Sequence, residues 1–283
     1  MLAIALIVFR ETLEAALIIS IVLAASVGVA GRGRWVSAGA GLGVLGACLV
    51  ALFAAAISNA FAGSGQELLN AAVLLIAVGM LAWHNLWMAS HARQMASEAR
   101  ALGKSVAAGT RPLIALAAIP ATAVLREGAE TVLFTFGIAS GGDVTMSSLG
   151  AGILIGIAGG AALGATLYLG LLRIPMKRLF AVTGWLVLLL AAGLASQAMG
   201  FLVQADLVPS LGTGIWDTSF LLNEDGLVGR ILHTLIGYVA QPQGIQVVAY
   251  VATLLLIGLP MWLISRPRRH APMGRVEAGP AHL

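Results

Sequence analysis

Apolar residues run along this chain in long blocks, at about 2–28, 36–57, 68–90, 112–138, 149–172, 178–203 and 245–265. Each block is long enough to cross roughly 30 Å of hydrocarbon as a helix. None has the ten-residue alternation of a membrane barrel, and only helices and closed barrels satisfy their backbone groups in lipid. The pattern predicts an all-α integral membrane protein with seven transmembrane helices. Between the sixth and seventh blocks, residues 226–238 have a helix-like apolar spacing, which predicts a short interfacial helix.

The polar residues that punctuate these blocks give an orientation. Arg32 and Arg34 follow the first block, Arg93, Arg100, Lys104 and Arg111 the third, and Arg173, Lys177 and Arg178 the fifth. Arg266, Arg268, Arg269 and Arg275 follow the last. The alternate connections hold Arg230 against Glu67, Asp143, Asp206, Asp217, Glu224 and Asp225. Basic loops stay inside, so the N-terminus is expected outside and the C-terminus inside. The membrane domain is then 1–265, with 204–244 as an outer connection and 245–265 as the last helix. Residues 266–283 form a basic cytoplasmic tail, expected to be disordered.

Composition agrees with a membrane chain. Of 283 residues, 59% are hydrophobic and 10% charged, against about 25% charged in soluble domains. The pI near 9.8 does not imply a nucleic-acid partner, because the basic residues sort by connection and form no patch. A single cysteine, Cys48, excludes an intrachain disulfide. The N-terminus lacks the basic start of a signal peptide and reads as a retained first helix.

Two apolar blocks contain charge where the pattern demands hydrocarbon. "VFRETLEAAL" (8–17) is echoed by "VLREGAETVL" (124–133), and both carry Arg-Glu-x-x-Glu. In each, the carboxylates are about 60° apart round a helix, and the Arg precedes the second Glu by one turn. Each intramembrane charge costs about 2.5–3.5 kcal/mol even on lenient scales and by default marks a site or pathway. The first and fourth helices run in opposite directions, so the two copies are antiparallel. Weaker echoes, "AGAG" (38–41) with "GAG" (150–152) and "ASHA" (89–92) with "ASQA" (195–198), support an inverted three-plus-three repeat over about 1–92 and 112–203. Such repeats hold transporter sites at their shared midplane. Four carboxylates and two guanidiniums leave a formal charge of −2, which suits a multivalent cation. The hard oxygens favour iron, manganese, magnesium or calcium over copper(I). The alternative is a pair of buried ion-pair clusters that lock helices together.

With these motifs the chain resembles the oxidase-linked iron permeases, the family of the fungal high-affinity iron permease and the bacterial EfeU-type permeases. The likeness extends through "QELLN" (66–70), "LWMASHAR" (86–93), "AAGLASQA" (191–198), "WDTSFL" (216–221) and "HTLIGY" (233–238). The resemblance implies high-affinity iron uptake across the inner membrane, with Glu11, Glu14, Glu127 and Glu130 as iron-translocating residues and Arg10 and Arg126 as the motif arginines. Iron, as Fe2+ or Fe3+, is then transported substrate, with no tightly bound cofactor. It also implies an extracytoplasmic partner that oxidises or delivers iron. The chain departs from the family in having Thr12 for the usual glycine and Asn70 where an acidic residue is frequent.

Lesser candidates flank this site. Glu67 is placed for cation entry at the outer side, and Asp217, Glu224 and Asp225 either draw cations to the outer mouth or belong to a merely solvated loop. His84 and His91, seven apart near the inner end of the third helix, are placed for exit or for packing. His233 reads as a structural hydrogen-bonder, and Pro120 should free the Leu116 carbonyl in the fourth helix. No Walker motif, CxxC or dinucleotide fingerprint appears. The readings that compete with iron import are transport of manganese or lead, an intramembrane acid–base enzyme, and a carrier for a cationic organic solute.

Overall fold

The computed structural model describes residues 1–60, 66–140, 144–170, 176–222 and 226–265. These residues form eight α-helices: α1 (Leu2–Ala25), α2 (Arg32–Ala60), α3 (Gln66–Ala107), α4 (Ala115–Ser140), α5 (Met146–Tyr168), α6 (Met176–Gln204), α7 (Leu227–Ile236) and α8 (Gly244–Ser265). Five stretches are long and apolar enough to cross a membrane: Arg32–Ala56, Glu67–His91, Met146–Tyr168, Ala181–Gln204 and Gly244–Ile264. α1 and α4 match them in length, but each carries three charged residues near its middle. Leu42, Leu45, Leu49 and Leu52 of α2 are 62–69% exposed, as on a helix face turned to lipid. The tail from 266, Asp143 and most of the connection before α6 lie outside the described residues.

The buried side chains form two apolar layers. One gathers Ile7, Leu74, Leu81, Phe134, Leu188, Leu194 and Ile257 from α1, α3, α4, α6 and α8. The other gathers Ile18, Val22, Val36, Ala99, Val106, Leu116 and Ala123 from α1 to α4. Residues 10–14 of α1 and 126–130 of α4 fall between these layers. The charged motifs therefore occupy a thin polar stratum with hydrocarbon-like packing above and below.

The third helix corrects the sequence reading. It was expected to end near 90 and give way to a basic connection, yet α3 continues to Ala107 for a total of 42 residues. Its extension buries Ala99, Leu102 and Val106, an apolar stripe at helical spacing that Arg100 and Lys104 obscure in the sequence. A Cβ at Gly103 would stand 2.5 Å from the Ala25 Cβ, so the extension lies directly on the end of α1.

Contacts along the helices fix their relative directions. α1 meets α3 at Glu11 with His84 and again at Ala25 with Gly103, so the two run parallel. α3 meets α4 at Met95 with Arg126 and at Ala77 with Gly137, so these run antiparallel. It follows that α1 and α4 are antiparallel.

Two close helix pairs share one design. Along α5, Cβ atoms added at Gly152, Gly156 and Gly160 would strike Met1 and Ile4, Ala5 and Val8, and Phe9 and Thr12 of α1. Along α2, those at Gly39 and Gly43 would strike Ala117, then Ala121 and Val124 of α4. One register relates the pairs: Val8 corresponds to Val124 as Gly156 does to Gly43. The small residues change sides one turn on, where Gly160 against Thr12 becomes Ala47 against Gly128. This equivalence pairs Gly39 with Gly152, two residues from the pairing that the Gly-Ala-Gly echo suggests. Small residues let backbones approach closely where lipid offers no hydrophobic drive to association.

Between α6 and α8 the chain folds into a compact connection around α7, which was expected over 226–238. Thr218 N–H donates to the Ala240 carbonyl at 3.0 Å, Gly244 N–H to Gly212 at 3.0 Å, and the Thr218 and Tyr238 hydroxyls are 2.6 Å apart. Gly237 ends α7 in the left-handed region, φ 68°, with its N–H on the His233 carbonyl. A side chain there would collide with Gly193 of α6, so both the backbone angle and the contact call for glycine.

The shared groove design predicts matched sensitivity. Gly156→Ala and Gly43→Ala should each destabilise the protein by about 1–3 kcal/mol, the usual cost of overpacking. Gly41→Ala, whose Cβ would meet nothing within 4 Å, should not. Thermal unfolding of the three purified variants in detergent checks this.

Candidate metal centre

α1 delivers Arg10, Glu11 and Glu14 into the polar stratum, and α4 delivers Arg126, Glu127 and Glu130. The spacing gives the same local pairing twice. Arg10 Nε donates to Glu14 Oε1 at 3.0 Å, and Arg126 Nε to Glu130 Oε1 at 3.0 Å. Each arginine also lies 3.8 Å from the first glutamate of its motif. These are the one-turn Arg–Glu pairs that a helix makes available.

α3 brings His84 between the two motifs. Its Nε2 is 3.6 Å from Glu11 Oε2 and 3.7 Å from Glu14 Oε2, and its Nδ1 contacts Glu130 Oε2. Phe134 packs edge-on against the imidazole, ring centroids 6.1 Å apart. One ligand atom from each of Glu11, His84, Glu127 and Glu130 can be chosen so that all lie within 4.8 Å of one another. Both oxygens of Glu11, both of Glu127 and Oε2 of Glu14 have no hydrogen-bond partner among the described residues. Buried carboxylate oxygens without partners are costly, and one multivalent cation satisfies several at once. The donor set is oxygen with one imidazole nitrogen, which fits a first-row divalent metal better than magnesium or calcium.

The two motifs are not equally enclosed. Glu11, Glu14 and Glu127 are 1–2% exposed, whereas the Glu130 side chain is 19% exposed. The Arg10 side chain is 3% exposed and that of Arg126 29%. A cavity of about 350 Å³ reaches this open side, lined by Met80, Trp83, His84, Glu130 and Phe134 among others. The Arg126 guanidinium lies over the Trp87 ring, 3.9 Å from its centroid, and donates towards Met95 Sδ at 3.8 Å.

His84 is a correction to the sequence reading, which set it near the inner end of the third helix. Because α3 runs on to Ala107, position 84 lies near its middle and in the stratum of the motifs. His91 is outside the cluster and stacks on Trp87, ring centroids 4.8 Å apart. Glu67 is exposed in the first turn of α3, away from the site. Asp217 is exposed in the connection, where Ser219 N–H (2.9 Å), the Ser219 hydroxyl (2.5 Å) and Gln241 Nε2 (3.0 Å) all donate to its carboxylate. Those donors, Ser219 foremost, hold its pKa below the ordinary value. Glu224 and Asp225 lie outside the described residues. His233 bonds the Tyr238 carbonyl through Nδ1 at 2.7 Å and meets Gln197 Nε2 through Nε2 at 3.1 Å, a structural arrangement. Nothing in the sequence pointed to Trp87 and Met95, which contact Arg126, or to the burial of Asn85 and Thr135.

Residues 1–268 match the iron permease FTR1 family. The chain belongs to that family. Among its relatives, the ferrous iron permease EfeU of Escherichia coli O6:H1 is 31% identical over 255 residues, covering 88% of this chain and 91% of the relative. The protein of the same name from Yersinia pestis is 30% identical over 266 residues, covering 90% and 92%. No solved structure matches. Membership in an iron permease family, with the apolar helices, makes this a multi-pass membrane transporter of iron.

Burial sets the expected response of the permease to loss of each arginine. Arg10→Gln takes from buried Glu14 its 3.0 Å partner and leaves only His84 near it, so it should cost about 3–5 kcal/mol, seen as a lower unfolding temperature and reduced membrane yield. Arg126→Gln, on the open side, should cost distinctly less in the same assay.

Proposed function

We propose that this permease carries iron inward across the cytoplasmic membrane through the stratum between the two apolar layers. Glu11, Glu127, Glu130 and His84 bind the ion, and Glu14 lies beside them to take a share of it. Arg10 and Arg126 hold Glu14 and Glu130, their 3.0 Å partners, in place when no ion is bound. The observation that carries this reading is the convergence of ligand atoms from both motifs and α3 within 4.8 Å. The relatives' names specify ferrous iron, and an imidazole among carboxylates suits the borderline Fe2+ ion. Ferrous iron is accordingly the proposed substrate, in preference to manganese or lead.

The proposed architecture has seven spans, with α1 and α4 crossing despite their charge, the N-terminus outside and the C-terminus inside. The equivalent α1–α5 and α4–α2 grooves support an inverted repeat of residues 1–92 and 112–203. Alternating access between such halves around a fixed site is the recurring mechanism for this architecture. The connection between α6 and α8 then faces outward, and Asp217 in it is available to an extracytoplasmic protein that delivers or oxidises iron.

Radiolabelled iron uptake in cells without their own importers tests the site. At matched membrane expression, Glu11→Gln, Glu130→Gln and His84→Ala should each reduce uptake at least tenfold, with manganese competing poorly. Normal uptake in Glu130→Gln would mean that the motif serves structure and not transport.

A further inference from the structure

The two motif arginines make the same carboxylate pair but have different second partners. Arg10 is sealed, and its Nη1 has no hydrogen-bond partner among the described residues. Arg126 is half-open and rests on a platform built by α3: the Trp87 ring beneath the guanidinium, His91 stacked on that ring, and Met95 sulfur at 3.8 Å. Trp87, His91 and Met95 are spaced by four residues, so they line one face of α3. That face continues from His84 toward the Arg100 end of the helix. Arg126 thus touches two things at once, the carboxylates Glu127 and Glu130 on one side and the platform on the other.

A cation that takes Glu127 and Glu130 competes with this guanidinium for the same oxygens. A displaced arginine inside the membrane needs a new partner, since an unpaired buried charge is strongly disfavoured. We propose that Trp87 is a positioning residue for the iron site: its ring, backed by His91 and Met95, retains the Arg126 guanidinium when iron takes Glu127 and Glu130. An aromatic face attracts a guanidinium without offering an anion to neutralise it, so Arg126 remains free to return when the ion leaves. Among the described residues only the second motif has such a platform, and it is also the motif whose Glu130 borders the cavity. The second motif is therefore the half that exchanges its arginine for the ion, while the first keeps its Arg10–Glu14 pair.

This inference rests on the proposed iron site and is tested by binding. The full chain in lipid nanodiscs is titrated anaerobically with ferrous iron, comparing wild type, Trp87→Leu, Trp87→Phe, Arg126→Gln and the Arg126→Gln/Trp87→Leu double variant. Trp87→Leu should raise Kd about threefold to tenfold, because the contact exists before the ion enters and only its strengthening on release from the carboxylates enters Kd, and Trp87→Phe should remain within about twofold of wild type. In the Arg126→Gln background, Trp87→Leu should have no further effect, because its role acts through the guanidinium. Trp87→Met takes the place of Trp87→Leu if the latter does not fold. An unchanged Kd in the non-aromatic variant, or the same loss in both backgrounds, overturns the inference. Glu130→Gln separates the two claims: normal iron binding there overturns the site itself, whereas lost binding there with an inert Trp87 overturns only the platform.

Discussion

Everything in this fold answers to the cost of holding six formal charges and an imidazole inside an apolar bundle. Placed singly in hydrocarbon, any of them would destabilise its helix. Placed in one stratum, they lower each other's cost through two one-turn Arg–Glu pairs and through His84, which touches both motifs. The arrangement still leaves carboxylate oxygens without hydrogen bonds. A purely structural cluster gains nothing from that deficit, because well-packed apolar residues would be at least as stable. The proposed transport site would gain, since an ion would supply the missing partner.

The apolar layers on either side keep this stratum thin. Phe134 and Leu81 cover one face, and Ala123 and Ile18 cover the other. Small residues in the α1–α5 and α2–α4 grooves bring the motif helices' outer neighbours close enough to exclude lipid. Packing and chemistry thus divide the helices between them: α2 and α5 brace, α1 and α4 carry charge, and α3 contributes to both.

Much of this was legible in the sequence, for identifiable reasons. Charged residues are so rare in membrane helices that Arg10-Glu11-x-x-Glu14 and Arg126-Glu127-x-x-Glu130 stand out, and helical periodicity alone gives the Arg–Glu pairs. The placement of His84 was not legible, because it depends on where α3 ends. That end was hidden by Arg100 and Lys104, which interrupt the apolar run but not the buried stripe of Ala99, Leu102 and Val106. The recurrence of the motif was visible through its charges, while the glycine register shared by the two grooves was not, since short Gly-Ala strings recur by chance and only contact with the partner helix selects among them. Trp87 beneath Arg126 joins residues 39 positions apart on different helices, and no local pattern reports such a pair.

The unbroken course of α3 has a mechanical meaning. From His84 to Gly103 the helix is continuous, and nineteen residues at about 1.5 Å each separate the imidazole from the α1 contact by about 28 Å. A stiff rod of this length works as a lever. A tilt of α3 at His84 would be carried along the rod to its contact with Ala25 at the end of α1. The polar stratum and the far end of the bundle are thereby joined by one uninterrupted helix.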